Sequence, residues 1–251
     1  MLRMLSMLLV FLVLIIGCTN GSEVIKKDAV IPPIISADKP PQIVLGSKYY
    51  YKHTNAITGQ SFSIITKVKS NVNWMGTSAY IIEMNKEDQA KNFALHGYTV
   101  VDANLNRLAN IDAQGRVIHI LVGQSTVTTA QGSTVIPPAI TVYDWPLKVG
   151  KSFSTTYEFL NKSDDKTYKI SDQVKVIDKV FLRSSLGSVI TYKIYHTSPG
   201  LIETRYYSPE LGTDVKQEIT NTLENSAGVG VFVIELIGYS IPGIGTKGEK
   251  F

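Results

Sequence analysis

Few side chains in this chain stand at spacings that do chemistry. Its four histidines, at 53, 96, 119 and 196, include no pair at i, i+2 or i, i+4, the spacings that put two metal ligands on one face of a strand or helix. His119 alternates with Val117 and Leu121, so it faces a core or a pocket, where a satisfied histidine is commoner than a ligand. Ser163-Asp164-Asp165-Lys166 has the Ser-x-x-Lys spacing of penicillin-binding enzymes, but it lies in a charged turn and no Lys-Thr-Gly follows. Gly123-Gln124-Ser125-Thr126-Val127 lacks the closing glycine of a nucleophile elbow. Asp102-Ala103-Asn104-Leu105-Asn106 begins like a calcium loop, yet its sixth position is Arg107 and its twelfth Ala113, so it reads as a turn at a strand end. Gly243-Ile244-Gly245-Thr246-Lys247-Gly248 has no strand–turn–helix context for a phosphate loop and reads as a flexible tail. The expectation is a protein that is not an enzyme, with no catalytic residue, no cofactor and no metal site.

One residue does carry a chemical expectation. Cys18 is the only cysteine, which rules out an internal disulfide and a Cys-based zinc site. It follows a single positive charge, Arg3, an apolar run from Met4 to Ile16, and the small residue Gly17. This is the layout of a secretory signal, too short to span a bilayer as a mature helix. The segment ending Ile15-Ile16-Gly17-Cys18 resembles the lipobox of bacterial lipoproteins. The resemblance implies a signal peptide over 1–17, acylation of Cys18, palmitate among the attached chains, and attachment to the membrane through that anchor. Each buried methylene contributes about 0.8 kcal/mol, so two or three acyl chains hold a protein on a membrane almost permanently. Thr19 follows, where an aspartate often retains lipoproteins in the inner membrane of Gram-negative bacteria. The expected location is therefore the outer membrane, at its periplasmic face or surface, if the cell has one. A signal cut near Gly21, or an uncleaved anchor helix, are the alternatives.

Charge excludes a nucleic-acid partner. Of 25 basic residues one is Arg3; without it 24 face 21 acidic residues, a balance of +3. Most are lysines, and the remaining arginines, Arg107, Arg116, Arg183 and Arg205, lie far apart, with no basic stripe.

Residues 18–45 read as the anchor cysteine followed by a tether. Pro32-Pro33 and Pro40-Pro41 favour extended chain and disfavour helix before them. As a coil, residues 19–45 span about 26–31 Å. An edge strand over Ile31 to Ile35 is the alternative.

From residue 46 onward the pattern has period two. Phe62, Ile64, Thr66 and Val68 alternate with more polar neighbours, as do Tyr80, Ile82 and Met84; Phe153, Thr155, Tyr157 and Phe159; Ile190, Tyr192 and Ile194; and Val215, Gln217 and Ile219. Such runs mean half-buried antiparallel strands. Turn residues separate them at 112–115, 161–165 and 208–212. Val117 to Val122 and Val229 to Ile237 are apolar on both faces, apart from Glu235, and read as strands covered on both sides. Asn85 to Leu95 is the best helix candidate, with Asn85 as cap. The expected fold is all-β: antiparallel strands in a curved sheet, half-open barrel or sandwich, with at most one or two short helices. Strand should account for about 45% of the body, above the ordinary 20–25%. The β domain spans 46–251, with two similar halves split near 140 as a possible arrangement.

Two segments of the second half carry a further resemblance. Trp145-Pro146-Leu147-Lys148-Val149-Gly150-Lys151-Ser152-Phe153 and Tyr206-Tyr207-Ser208-Pro209-Glu210-Leu211-Gly212-Thr213-Asp214-Val215-Lys216 resemble recurrent turns of uncharacterised exported β domains of bacteria, and more weakly the half-barrels of lipoprotein-carrier type. The resemblance implies no catalytic chemistry there. It makes Trp145, Tyr157 and Tyr206 core residues before ligand contacts.

The function expected is a membrane-anchored lipoprotein whose β domain is a binding or interaction module of the cell envelope, with an envelope protein or polymer as partner. The alternative is a carrier or sensor of an apolar ligand in a half-open barrel, suggested by Ile65 and Ile81, apolar residues on faces that should be polar. A continuous apolar pocket lined by both halves would favour the carrier. A filled core with an exposed aromatic patch would favour the interaction module, and clustered carboxylates and histidine in a cleft would revive an enzyme.

Overall fold

A computed structural model describes residues 37–86, 97–225 and 228–248. Cys18, the tether up to residue 36, His96 and residues 87–95 of the helix candidate lie outside them. Strand makes up 68% of the described residues, and none of them is helical. The first six strands are β1 (Lys48–Asn55), β2 (Ser61–Trp74), β3 (Thr77–Lys86), β4 (Gly97–Asp102), β5 (Arg107–Asp112) and β6 (Val117–Thr129). A short β7 (Gly132–Ile136) and a 15-residue loop follow. Then come β8 (Ser152–Asn161), β9 (Lys166–Ser184), β10 (Gly187–Ser198), β11 (Leu201–Ser208), β12 (Thr213–Asn221), β13 (Gly230–Ile241) and β14 (Gly245–Gly248).

All pairings are antiparallel, and the sheet closes on itself. Neighbours follow chain order from β1 to β6, continue through β8 to β13, and β13 pairs back to β1 from Lys48↔Ser240 to Asn55↔Phe232. The result is a closed barrel of 12 strands. Closure removes the two open edges that a half-open sheet leaves for pairing with other chains. Six barrel strands precede the 137–151 loop and six follow it. Bulges break the register within strands, for example at Tyr50/Tyr51, Lys193/Ile194 and Tyr206/Tyr207, where they bend the strands round the barrel. The Gly123 region is one of them: β6 skips from Val122 to Thr126 against β8, with Gly123 at φ 62°.

One end of the barrel is packed shut. The 137–151 loop crosses it, and Tyr143, Leu147 and Phe153 join Val176, Tyr192, Ile194 and Tyr207 in the largest core cluster. The Trp145 to Phe153 segment is pinned at several points. Leu147 N–H donates to Ala37 O, Gly150 N–H to Val176 O, and Lys151 Nζ pairs with Asp144 at 2.8 Å. Gly150 has φ 88°, a conformation that suits glycine. Ala37 is buried in that cluster, and Pro41 packs on Gly212. Residues 37–45 therefore lie on the barrel, and the folded unit begins before residue 46.

A second cluster lies on the opposite face of the sheet. Ala79, Val100, Leu108 and Ala109 pack under Ala139 and Ile136. Val100 sits one step from Val101, which faces the interior, so this cluster is outside the barrel. The same outer face holds Ile81, opposite Val100. Ala79 of β3 and Val100 of β4 are thus covered by the chain that leaves β7.

Three expectations are corrected. Asn85 and Lys86 are the last residues of β3, so Asn85 caps no helix. Gly245–Gly248 is β14, paired with Gly238 to Ile241, and is not a free tail. Tyr206 is half-buried beneath Lys193 and Lys216, 5.6 and 5.8 Å from its ring, on the side away from the core that holds its neighbour Tyr207.

Candidate functional site

The barrel encloses a cavity of about 620 Å³. Its wall is built by the period-two faces read from the sequence. Ile64, Thr66 and Val68 of β2, Ile82 and Met84 of β3, and Val101 of β4 line one side. Tyr49, Tyr51 and His53 of β1 continue that side toward Ile234 of β13. The side made by β8 to β12 is different. It carries Tyr157, Asp172, His196, Glu203, Arg205, Asp214 and Gln217.

These charged residues form one network. Arg205 pairs with Glu203 at 2.7 Å and with Asp214 at 3.7 Å. His196 lies 3.1 Å from Glu203 through Nδ1 and 3.3 Å from Asp172 through Nε2. Tyr157 donates to Asp172 at 3.2 Å, Tyr143 to Asp214 at 2.8 Å, and Gln217 Nε2 to Asp214 at 2.8 Å. Asp172 and Glu203 are each only 3% exposed. The register explains the assembly. On β11, Leu201, Glu203, Arg205 and Tyr207 share the inward face; His196 stands opposite Glu203, and Gln217 opposite Arg205.

The network favours the charged forms of Glu203 and His196 against burial. Burial alone would raise Glu203, but Arg205 and His196 reverse that and hold it down at about 2. Burial would lower His196, but hydrogen bonds to Asp172 and Glu203 bring it above the usual histidine value. Asp214 is raised, because its burial outweighs the pull of Arg205. On the other wall His53 has no such help. It stacks on Phe62 at 5.1 Å, and burial depresses it to about 4. It is neutral at physiological pH.

Arg107, at the start of β5, also faces the cavity. Burial, and then the nearby Arg205, push its guanidinium below the ordinary arginine range. Among the described residues no carboxylate lies within ion-pair reach of it. Its backbone pairs with Ile140 in both directions, at 3.0 and 2.8 Å, which places the side chain beside the loop that closes the packed end. Three buried polar atoms of cavity-lining residues have no partner either: Thr141 Oγ1, Asp172 Oδ1 and the Tyr207 hydroxyl.

The expected candidates fall in place differently. His119 lies half-buried near the edge of the barrel, against Asn110 at 3.4 Å and the Phe159 ring at 5.3 Å, and does not line the cavity. Asp102 is a turn residue: its carboxylate accepts from the backbone of Asn104 and Asn106, both at 2.8 Å. Ser163 to Lys166 join β8 to β9 in an exposed hairpin. Trp145 packs on Tyr207, with ring centres 5.7 Å apart, at the closed end. Tyr157 is both buried and part of the cavity wall. The charged residues of the second wall were not singled out from sequence. Continuing the Ile190-Tyr192-Ile194 alternation one step reaches His196, and reading β11 with period two puts Glu203 and Arg205 on the face of Leu201 and Tyr207. That would have marked three charges as pointing inward.

No protein-family model and no curated protein matches this chain. Two solved structures are similar in fold. One is a protein of Bacteroides fragilis described as exported and as having a YmcC-like fold, at 10% identity over 80% of this chain and 97% of that one, with a TM-score of 0.39. The other is a protein of Parabacteroides distasonis described as a lipoprotein, at 10% identity over 77% and 94%, with a TM-score of 0.37.

Proposed function

We propose that this chain is an exported, membrane-anchored binding protein of the bacterial cell envelope, not an enzyme, and that it takes an apolar ligand into the interior of its barrel. The observation that carries the reading is the cavity of about 620 Å³, lined from both halves of the chain. It falls within the roughly 300–1,000 Å³ of small-ligand sites. Buried isoleucines, valines and tyrosines on one side supply contact area, and a few polar groups on the other can fix orientation. The resemblance of the segment ending at Cys18 to a lipobox supports export and anchoring, with the membrane as the other partner. An apolar pocket lined by both halves favours carriage over the interaction module that a filled core would have indicated.

The charged wall gathers the carboxylates and histidine that an enzyme would need, but they are paired with one another, which suits a fixed binding surface. Ion pairs buried in a barrel wall are no more stabilising than apolar residues of the same volume. A chain selected only for a stable barrel has no need of four charged residues and a histidine there. The test is native mass spectrometry of the full-length protein recovered from its own membrane. A single bound small molecule at one copy per chain is expected. Recovery of a protein partner with an empty barrel would restore the interaction module.

A further inference from the structure

One cation of the cavity makes no ion pair among the described residues. Arg205 is neutralised by Glu203 and Asp214, and His196 by Glu203 and Asp172. Arg107 faces the same space and has no carboxylate within ion-pair reach among the described residues. An unpaired guanidinium in a dry wall is costly, and proteins rarely keep one without a partner. The neighbouring loop adds Thr141 Oγ1 and, across the closed end, the Tyr207 hydroxyl, two buried hydroxyls that have no partner and can donate. Arg107, Thr141 and Tyr207 all line the cavity. Val101 stands opposite Arg107 in register, and the apolar wall continues from it through Ile82 and Met84.

We infer that the ligand is a single-chain amphiphile with a carboxylate head, bound head-first, its carboxylate on Arg107 and Thr141 and its hydrocarbon chain along the apolar wall. The inference rests on the reading of the barrel as a carrier. The planar guanidinium fork matches a carboxylate bidentately. Arg107 offers one guanidinium fork, which fits one carboxylate, and Asp172, Glu203 and Asp214 on the facing wall disfavour any further negative charge.

The test is equilibrium dialysis of the full-length protein, kept soluble in amphipol, against radiolabelled palmitate and radiolabelled 1-hexadecanol, which share a chain and differ in the head. Wild type should bind one palmitate at least tenfold more tightly than hexadecanol. Arg107→Gln should abolish that preference, leave hexadecanol binding unchanged, and leave the melting temperature of the ligand-free protein equal or higher. Equal binding of the two probes by wild type overturns the head-group assignment while the carrier reading survives. Binding of neither overturns the carrier reading and this inference with it. A sharp drop in melting temperature for Arg107→Gln would mean that Arg107 is paired inside the protein, and also overturns the assignment. Arg107→Lys keeps the charge and loses the fork. It should weaken palmitate several-fold, and unchanged palmitate binding by a folded Arg107→Lys protein rules the bidentate contact out.

Discussion

The two walls of the barrel are built by the same rule and do opposite things. In β1 to β4 the inward positions are Ile64, Val68, Ile82 and Val101 with a few tyrosines and threonines, and the one histidine, His53, is held neutral. In β8 to β12 the inward positions include Asp172, His196, Glu203, Arg205 and Asp214, each with a partner on another strand or the loop. Period-two geometry decides which residues face inward. It does not decide whether they are apolar. The difference teaches that the interior is divided: one side is suited to hydrocarbon, the other is a preorganised field of fixed charges.

The largest expected effect comes from breaking the charged wall. Arg205→Ala leaves Glu203 and Asp214 buried without their cation, and stability in urea should fall by about 3–5 kcal/mol. Replacing Arg205, Glu203 and Asp214 together by apolar residues of similar volume should cost far less. If the single change is as mild as the triple one, the network is not coupled as described.

The closed end offers the next test. Residues 37–45 lie on the barrel, with Ala37 in the core, Pro41 on Gly212, and Val44 against the cluster around Leu236. A chain starting at residue 46 should melt several degrees below one starting at residue 37. Each fully buried aliphatic side chain contributes about 1.5–3 kcal/mol, and each kcal/mol moves the midpoint by about 2–4 °C in a domain of this size. Equal midpoints would return residues 37–45 to the tether.

The two histidines should give smaller effects of opposite sign. His196 is raised on folding, so its contribution is full below about pH 6.5 and is lost as pH rises through its folded value. His196→Gln should flatten the decline in stability on the alkaline side of 6.5. His53 is depressed to about 4, so folding is penalised as pH falls from about 6.5 toward 4. His53→Phe should remove that loss on the acid side. Urea midpoints across pH 4 to 8 check both, and slopes of the same sign in the two variants would contradict the assignment of the walls.

Much of the barrel was legible in sequence because period two is written residue by residue. The faces led by Ile64, Tyr157 and Ile194 were read from alternation and line the interior. Closure was not legible, since pairing of Lys48 with Ser240 depends on accumulated twist and bulges across 12 strands, and no local signal records that sum. The polar site escaped for a related reason. Arg107 and Arg205 are distant in sequence and no spacing ties them together, whereas register places both on the cavity. The tail at Gly243 to Gly248 read as flexible because glycines weaken strand propensity, yet β13 extends past its pairing with β12, which ends at Glu235, and gives it a partner.

The central claim is that the divided interior is a space for a ligand. The most direct measurement is titration of the full-length protein with 1-aminoanthracene, a fluorophore that brightens in apolar surroundings, compared with Met84→Trp, which fills the cavity from the apolar wall. Wild type should bind one dye per chain, and Met84→Trp should lose that binding at an unchanged or higher melting temperature. If Met84→Trp folds and binds the dye as well as wild type does, the dye sits elsewhere and the barrel interior is not the site.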